Sequence, residues 1–211
     1  GKDSMLLAKC MQEILRHGKM EFGLKFLVMD PGYREENRKL IHENARILGI
    51  PIHVFETEIF DTVVDVEDSP CYLCARMRRG NLYANARELG CNKIAYAHHK
   101  DDVIETMLLS LLYEGRFYSF PPKTYLDQMD LTVIRPLFFV DEADVIGFWH
   151  KYQLPVAKSP CPADGHTRRE YSKQLLRQLN LENPGVKNRM FTAILNAELS
   201  DWPDRIIPDR H

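Results

Sequence analysis

The chain has 211 residues, a formal net charge of −2 and a pI near 6.5, so it is not a polycation that holds nucleic acid by bulk charge, although a local basic face stays open. A hydrophobic fraction of 45% and a charged fraction of 27% suit one globular domain with a buried core. No apolar run approaches the roughly 18 residues that span a bilayer, no signal peptide is visible, and five irregularly spaced cysteines argue against a disulfide scaffold, so a cytoplasmic setting is expected.

In chain order, Asp3 to His17 reads as a helix on the stripe Leu6, Leu7, Cys10, Ile14 and Leu15, with Gly18 as its stop. Leu24 to Met29 is a strand, closed by the turn signal Asp30-Pro31-Gly32. Glu35 to Leu48 is a helix with acidic residues in its first turn and Gly49 placed for a left-handed cap. Pro51 to Phe55 is a strand, and after an acidic stretch and the Cys-x-x-Cys comes the basic helix Ala75 to Leu89. Lys93 to Ala97 is a strand, followed by a helix over Asp102 to Tyr113 whose core face is Val103, Ile104, Met107, Leu108, Leu111 and Leu112. Glu114 to Asp130, with Pro121-Pro122, reads as a long loop that is either mobile or part of a site. Leu131 to Ile134 is a fourth strand, and Asp141 to Tyr152, Arg168 to Leu179 and Asn183 to Leu199 are closing helices. This alternation predicts an α/β fold, a doubly wound parallel sheet with helices on both faces. Gly1 has no strand before it, so the N-terminal strand is expected to be missing from the numbered sequence.

Gly1-Lys2-Asp3-Ser4 opens a helix, where backbone N–H groups and the helix dipole favour anions. Ser4 can add a hydroxyl donor, and Asp3 can cap the helix or orient magnesium. An ordinary N-cap is the competing reading, and the spacing is not that of a Walker A loop. His98-His99-Lys100-Asp101-Asp102 follows a strand, hence lies at the carboxyl end of the sheet, where open α/β sheets bind ligands. Its competing reading is a capping box, with Asp101 or Asp102 as N-cap and Glu105 completing it.

Cys71 and Cys74 have the spacing by which two thiolates reach one metal or cluster, or form a redox pair. Cys161 sits in Ser159-Pro160-Cys161-Pro162, whose prolines favour a rigid, extended loop. Three thiolates suit an iron–sulfur cluster with one iron left open. Cys10 and Cys91 read as buried packing residues. Arg76, Arg78, Arg79 and Arg87 crowd the helix after Cys74, and Arg168, Arg169, Lys173 and Arg177 form a second group after Cys161. Each group alone is an ordinary solvated face; both flanking the same thiols suggest a phosphodiester track. Tyr72, Tyr83 and Tyr171 are either base-stacking residues or packed surface tyrosines.

These pieces resemble a known family. Gly1-Lys2-Asp3-Ser4 is similar to the latter part of the S-G-G-x-D-S loop of the PP-loop, or N-type, ATP pyrophosphatases. Adding Cys71 to Gly80, Ala97 to Thr106, Phe120-Pro121-Pro122-Lys123, Ile134-Arg135-Pro136-Leu137 and Cys161 narrows the resemblance to TtcA-type tRNA 2-thiocytidine synthetases over nearly the whole chain. The Ser-Gly that precedes the loop glycine in that family is absent here, and no further cysteine follows Cys161 nearby.

The resemblance implies a single PP-loop domain over 1–211, with a Cys-x-x-Cys insertion near 60–80 and a helical C-terminal extension over 141–211. It implies ATP-dependent adenylation of a cytidine in tRNA and replacement of its 2-oxygen by sulfur. It assigns ATP binding to Gly1, Lys2, Asp3, Ser4, Met29, His99, Asp102 and Arg135, and Mg2+ to Asp3 and Asp102. A [4Fe-4S] cluster would be held by Cys71, Cys74 and Cys161, which with Asp3, Ser4 and Asp102 form the catalytic set. Arg76, Arg78, Arg79, Arg168 and Arg169 would meet tRNA. Further expected partners are a sulfur donor system such as a cysteine desulfurase and a second copy in a homodimer, with no membrane. Two alternatives stand beside this: a PP-loop enzyme thiolating another base or a small molecule, and a zinc-binding interaction module.

Overall fold

The structure, a computed structural model, describes residues 1–64, 70–154 and 168–197, and of 61, 63, 64 and 70–72 the backbone alone. Helix α1 (Lys2–His17) buries Met5 and Leu7 and packs against α2 (Glu35–Leu48) and α6 (Glu142–Lys151). Met5, Ala45, Leu48, Ile50 and Leu154 form the core cluster there. Burying each large aliphatic side chain stabilises the fold by about 1.5–3 kcal/mol. α2 ends as expected: Gly49 takes φ 65°, Ile50 N donates to Ala45 O at 2.8 Å, and a Cβ-bearing residue would be strained at that φ.

Strand β1 (Phe26–Asp30) pairs in parallel with β2 (Ile52–Glu56), Phe26 opposite Ile52 and Asp30 opposite Glu56. Beyond β1 the Asp30 carboxylate accepts from the amides of Gly32 and Tyr33 at 2.9 and 2.6 Å, which closes the turn read from Asp30-Pro31-Gly32. Helices α3 (Ile59–Val64) and α4 (Pro70–Glu88) follow, and α4 packs against β1 and against β3 (Lys93–Ala95). The middle strand of the second sheet is β5 (Leu131–Ile134), parallel to β3 on one side and antiparallel to β4 (Lys123–Leu126) on the other.

The α/β class is as expected, with three differences of detail. Among the described residues the strands form two hydrogen-bonded sheets, β1–β2 and β3–β5–β4, rather than one. Part of the stretch expected as a loop is strand β4: a 3-10 turn over Asp127–Met129 and left-handed Asp130 (φ 46°) reverse the chain onto β5, which yields an antiparallel edge. The Cys-x-x-Cys lies inside α4 rather than on a loop before it, because Pro70 is the first helical residue, where its missing N–H costs no hydrogen bond.

Helix α5 (Lys100–Leu109) is the centre of the larger core. Val103, Ile104, Met107 and Leu108 bury against Phe138, Leu176, Phe191 and Ile194, the last three from α7 (Arg168–Glu182) and α8 (Val186–Asn196). After Leu109 the backbone widens into a π turn, Ser110–Glu114. That change of register carries Leu111 and Leu112 off the core face, to 45% and 50% exposure.

Candidate active site

The first turns of α1, α5 and α6 converge. At Gly1 a Cβ would meet nothing within 4 Å, so the amide end of α1 is open, and Ser4 beside it is exposed. The Asp3 carboxylate holds Lys2 Nζ at 2.7 Å and lies 3.9 Å from His99 Nε2. Lys2 Nζ also lies 3.5 Å from the Glu142 carboxylate at the head of α6. Burial opposes the charge on Lys2, but Asp3 and Glu142 outweigh it and raise its pKa.

His99 is buried and is itself the N-cap of α5, so the capping residue is neither aspartate. Asp102 fills the third helical position and its Oδ2 accepts the His99 amide at 2.9 Å. Its other oxygen, Oδ1, accepts from Arg169 of α7 at 2.6 Å. Arg169 Nε lies 3.7 Å from Glu105, a carboxyl 3% exposed within α5 rather than a capping partner. Burial, and then the neighbouring Asp102 charge, push Glu105 up to about 7. Arg169 and Lys173 oppose that rise.

Asp101 faces away from this pair. It accepts the Glu142 amide at 2.9 Å and pairs with Lys187, so it stitches α5 to α6 and α8. Burial alone would raise the Asp101 carboxyl; Lys187 and the Glu142 amide outweigh it and lower its pKa. Glu142 in turn holds Lys173 Nζ at 2.7 Å.

The remaining expected residues fall in several places. Met29 is buried at the end of β1. Arg135 is turned to the β4 loop, donating to Pro121 O at 2.6 Å and Thr124 Oγ1 at 3.3 Å beneath the Phe120 ring. It orders the sheet end there, and no direct contact joins it to the Asp3–Asp102 group. His98 stacks between Tyr96 and Phe120, and burial lowers its pKa to about 4, leaving a neutral imidazole. Arg76, Arg78 and Arg79 are exposed on α4. Arg78 donates to Tyr33 Oη at 3.5 Å and lies near enough to Gly1 to act on it electrostatically. Cys74 is half-buried one turn before Arg78, hence on the same side of α4. The Cys71 side chain and the whole of Cys161 lie outside the described residues. Cys10 and Cys91 are half-buried rather than fully packed away.

Sequence reasoning names Glu105 only as a capping-box partner and does not single out Glu142 or Lys187. Glu105 lies off the apolar stripe of Val103 and Met107 and is buried because α5 is covered on nearly all sides, which no periodicity announces. Arg169, half exposed, meets the Asp102 and Glu105 carboxylates, partners that nothing beside it in the sequence marks.

Mg2+ keeps several waters and needs only one or two protein carboxylates beside substrate phosphates. Asp3 and Asp102 flank the His99 ring, 3.9 Å from Nε2 and 3.5 Å from Nδ1, and each is a carboxylate of the kind Mg2+ uses beside phosphates. No group of three or more metal-binding side chains is assembled among the described residues.

A PP-loop domain model matches residues 1–179. This chain belongs to the PP-loop family. Similar proteins include the tRNA-cytidine(32) 2-sulfurtransferase of Pelobacter propionicus, 34% identical over 202 residues, covering 93% of this chain and 75% of that one. The protein of the same name from Geobacter sulfurreducens is 34% identical over 203 residues, covering 94% and 79%. Among solved structures, the U34-tRNA thiolase NcsA from Methanococcus maripaludis, with its [4Fe-4S] cluster, superposes with a TM-score of 0.73 at 20% identity. That match covers 92% of this chain and 67% of the thiolase and supports the fold. No described helix of this PP-loop protein is long and apolar enough to cross a membrane.

Proposed function

We propose that this PP-loop protein is an ATP-dependent sulfur transferase acting on a cytidine of tRNA. The observation that carries the reading is the meeting of Asp3, His99 and Asp102 at the open Gly1 end of α1, in a chain similar to tRNA-cytidine 2-sulfurtransferases. The cytidine 2-oxygen is a poor leaving group. Its attack on the α-phosphorus of ATP releases pyrophosphate and leaves the oxygen adenylated. Sulfur then forms the new bond to C2, and AMP departs with the oxygen.

Gly1, Lys2 and Ser4 supply backbone, ammonium and hydroxyl donors for the phosphates, with the α1 dipole behind them. Asp3 and Asp102 hold Mg2+, which supplies charge for the developing pyrophosphate. His99 holds Asp102 through its backbone amide, and its buried ring lies between the two carboxylates. Met29, near the end of β1, would contact the adenine. Cys71, Cys74 and Cys161 would hold a [4Fe-4S] cluster, which would supply the sulfur-transfer chemistry. Arg76, Arg78, Arg79 and Arg168 meet the tRNA backbone. The helices from Asp141 onward form an extension of the same domain, and the working form is a cytoplasmic homodimer fed by a cysteine desulfurase.

The test is anaerobic reconstitution with iron and sulfide, followed by mass spectrometry of tRNA nucleosides. Thiocytidine formed only with ATP supports the reading; thiolation of a different base, or none, rejects it.

A further inference from the structure

The π turn at the end of α5 presents an unbroken run of outward side chains. Leu111, Leu112 and Tyr113 are exposed, and beyond Gly115 so are Phe117 and Tyr118. A soluble surface rarely gathers large apolar groups this closely without a use. Two of the rings carry a guanidinium: Arg168 lies 4.8 Å from the Tyr113 centroid and Arg116 lies 5.0 Å from that of Tyr118. Arg116 is also paired with Glu114 at 2.7 Å, so Arg168 brings the less compensated charge. Tyr171, three residues on from Arg168 and so on the same side of α7, adds another exposed ring.

Arg168 and Arg169 are neighbours in the chain. One covers Tyr113, and the other grips Asp102. The ring surface lies at the far end of α5 from Asp102, roughly 15 Å along the helix, and the neighbouring Arg168 and Arg169 reach one to each end.

We infer that Tyr113, Tyr118 and Tyr171, with Arg168 and Arg116, form a stacking platform for unpaired bases of an RNA loop, holding the loop at one end of α5 so that its neighbouring nucleotides run toward the Asp102 end. This rests on the proposed function and deepens it by naming the surface that takes the substrate. Tyrosine rings stack on any base that is splayed out, and guanidiniums beside them reach the phosphodiester. A duplex offers the phosphodiester but no splayed base, because its bases are already stacked and its deep groove is closed to side chains. The competing occupant is a second copy of this chain, which would use the apolar side chains and leave the guanidiniums at a rim.

The platform is tested by binding a short RNA hairpin with an unpaired loop, and a blunt duplex of the same stem, to the intact protein. Tyr113→Ala with Tyr118→Ala is expected to weaken hairpin binding about tenfold or more. Duplex binding and ATP binding stay unchanged. Tyr113→Phe with Tyr118→Phe keeps the rings and is expected to bind as the parent does. Arg168→Gln is expected to lower the salt dependence of hairpin binding by about one charge. Should the alanine variant not fold, ultraviolet crosslinking of the hairpin to the parent protein decides instead, with adducts expected on Tyr113 or Tyr118. Unchanged hairpin affinity in the folded alanine variant, or crosslinks confined elsewhere, overturns the platform. So does a dimer that falls apart in the variant while RNA affinity per chain is kept, which assigns the surface to the second copy. A parent protein that binds no RNA at all rejects the sulfur-transfer reading itself and takes the platform with it.

Discussion

Asp102 and Arg169 stand 67 residues apart in the chain and meet at 2.6 Å, so that with the His99 amide on Oδ2 both carboxylate oxygens of Asp102 are engaged. A magnesium ion on Oδ1 has to share that oxygen with a guanidinium or displace it. The Arg169 side chain is half exposed, and such a pair contributes no more than about 1 kcal/mol. Arg169→Gln is therefore expected to lower the Mg2+ concentration for half-maximal ATP binding by no more than about fivefold. Asp102→Asn is expected to slow pyrophosphate release about a hundredfold or more. Retained release in Asp102→Asn would strip that residue of its role.

Glu105 and His98 make opposite demands on pH. The folded Glu105 carboxyl titrates near 7 against an ordinary 4.5, so its burial favours folding at low pH and that advantage is lost as pH rises through 7. The folded imidazole of His98 titrates near 4 against 6.5, so its contribution is complete above 6.5 and is lost as pH falls toward 4. The two nearly cancel between pH 5 and 6.5 (roughly, as linked titrations). Glu105→Gln is expected to raise the melting temperature relative to the parent at pH 8 and to lose that advantage near pH 5. A difference that does not change with pH would show the carboxyl to be solvated in both states.

What is readable from sequence is local: the Gly49 cap is announced by an apolar stripe that stops one residue earlier. The cap of α5 reads as local too, but with an aspartate in the place that His99 takes. What could not be read depends on contacts across the chain. Nothing near Arg169 in sequence marks its carboxylate partners, and Glu142 reaches Lys2 and Lys173 only once three helices are packed. Leu111 and Leu112 keep perfect helical spacing with Leu108, so only the π turn, a feature without a sequence period, exposes them. Strand β4 is four residues long and follows Pro121-Pro122, too short and too close to breakers to rise above a loop reading.

Arg135 separates stability from catalysis. Its guanidinium gives up solvent to reach Pro121 O and the Phe120 ring, and burial lowers its pKa accordingly. Arg135→Lys loses the planar fork and the stacked face. A loss of about 1–3 kcal/mol in unfolding free energy is expected. ATP affinity should stay within about twofold, since no described contact joins Arg135 to the Asp3–Asp102 group. A selective loss of ATP affinity with stability intact would return Arg135 to the nucleotide site.

Cys74 allows the sulfur chemistry to be cut away from the ATP chemistry. It lies on α4, a turn before Arg78, whereas the phosphate donors belong to α1 and the carboxylates to α1 and α5. Cys74→Ser keeps a small polar side chain at a half-buried helical position, so the packing of α4 on β1 and β3 should survive. After anaerobic reconstitution the variant is expected to lack the brown absorption of an iron–sulfur protein and to yield no thiolated nucleoside, with ATP affinity unchanged. The alternative zinc module predicts a colourless parent protein, so the parent's spectrum is informative before any variant is made. If Cys74→Ser loses ATP affinity in step with thiolation, the thiol serves the packing of α4 instead of carrying sulfur, and the separation of the two chemistries between α4 and the α1–α5 site fails.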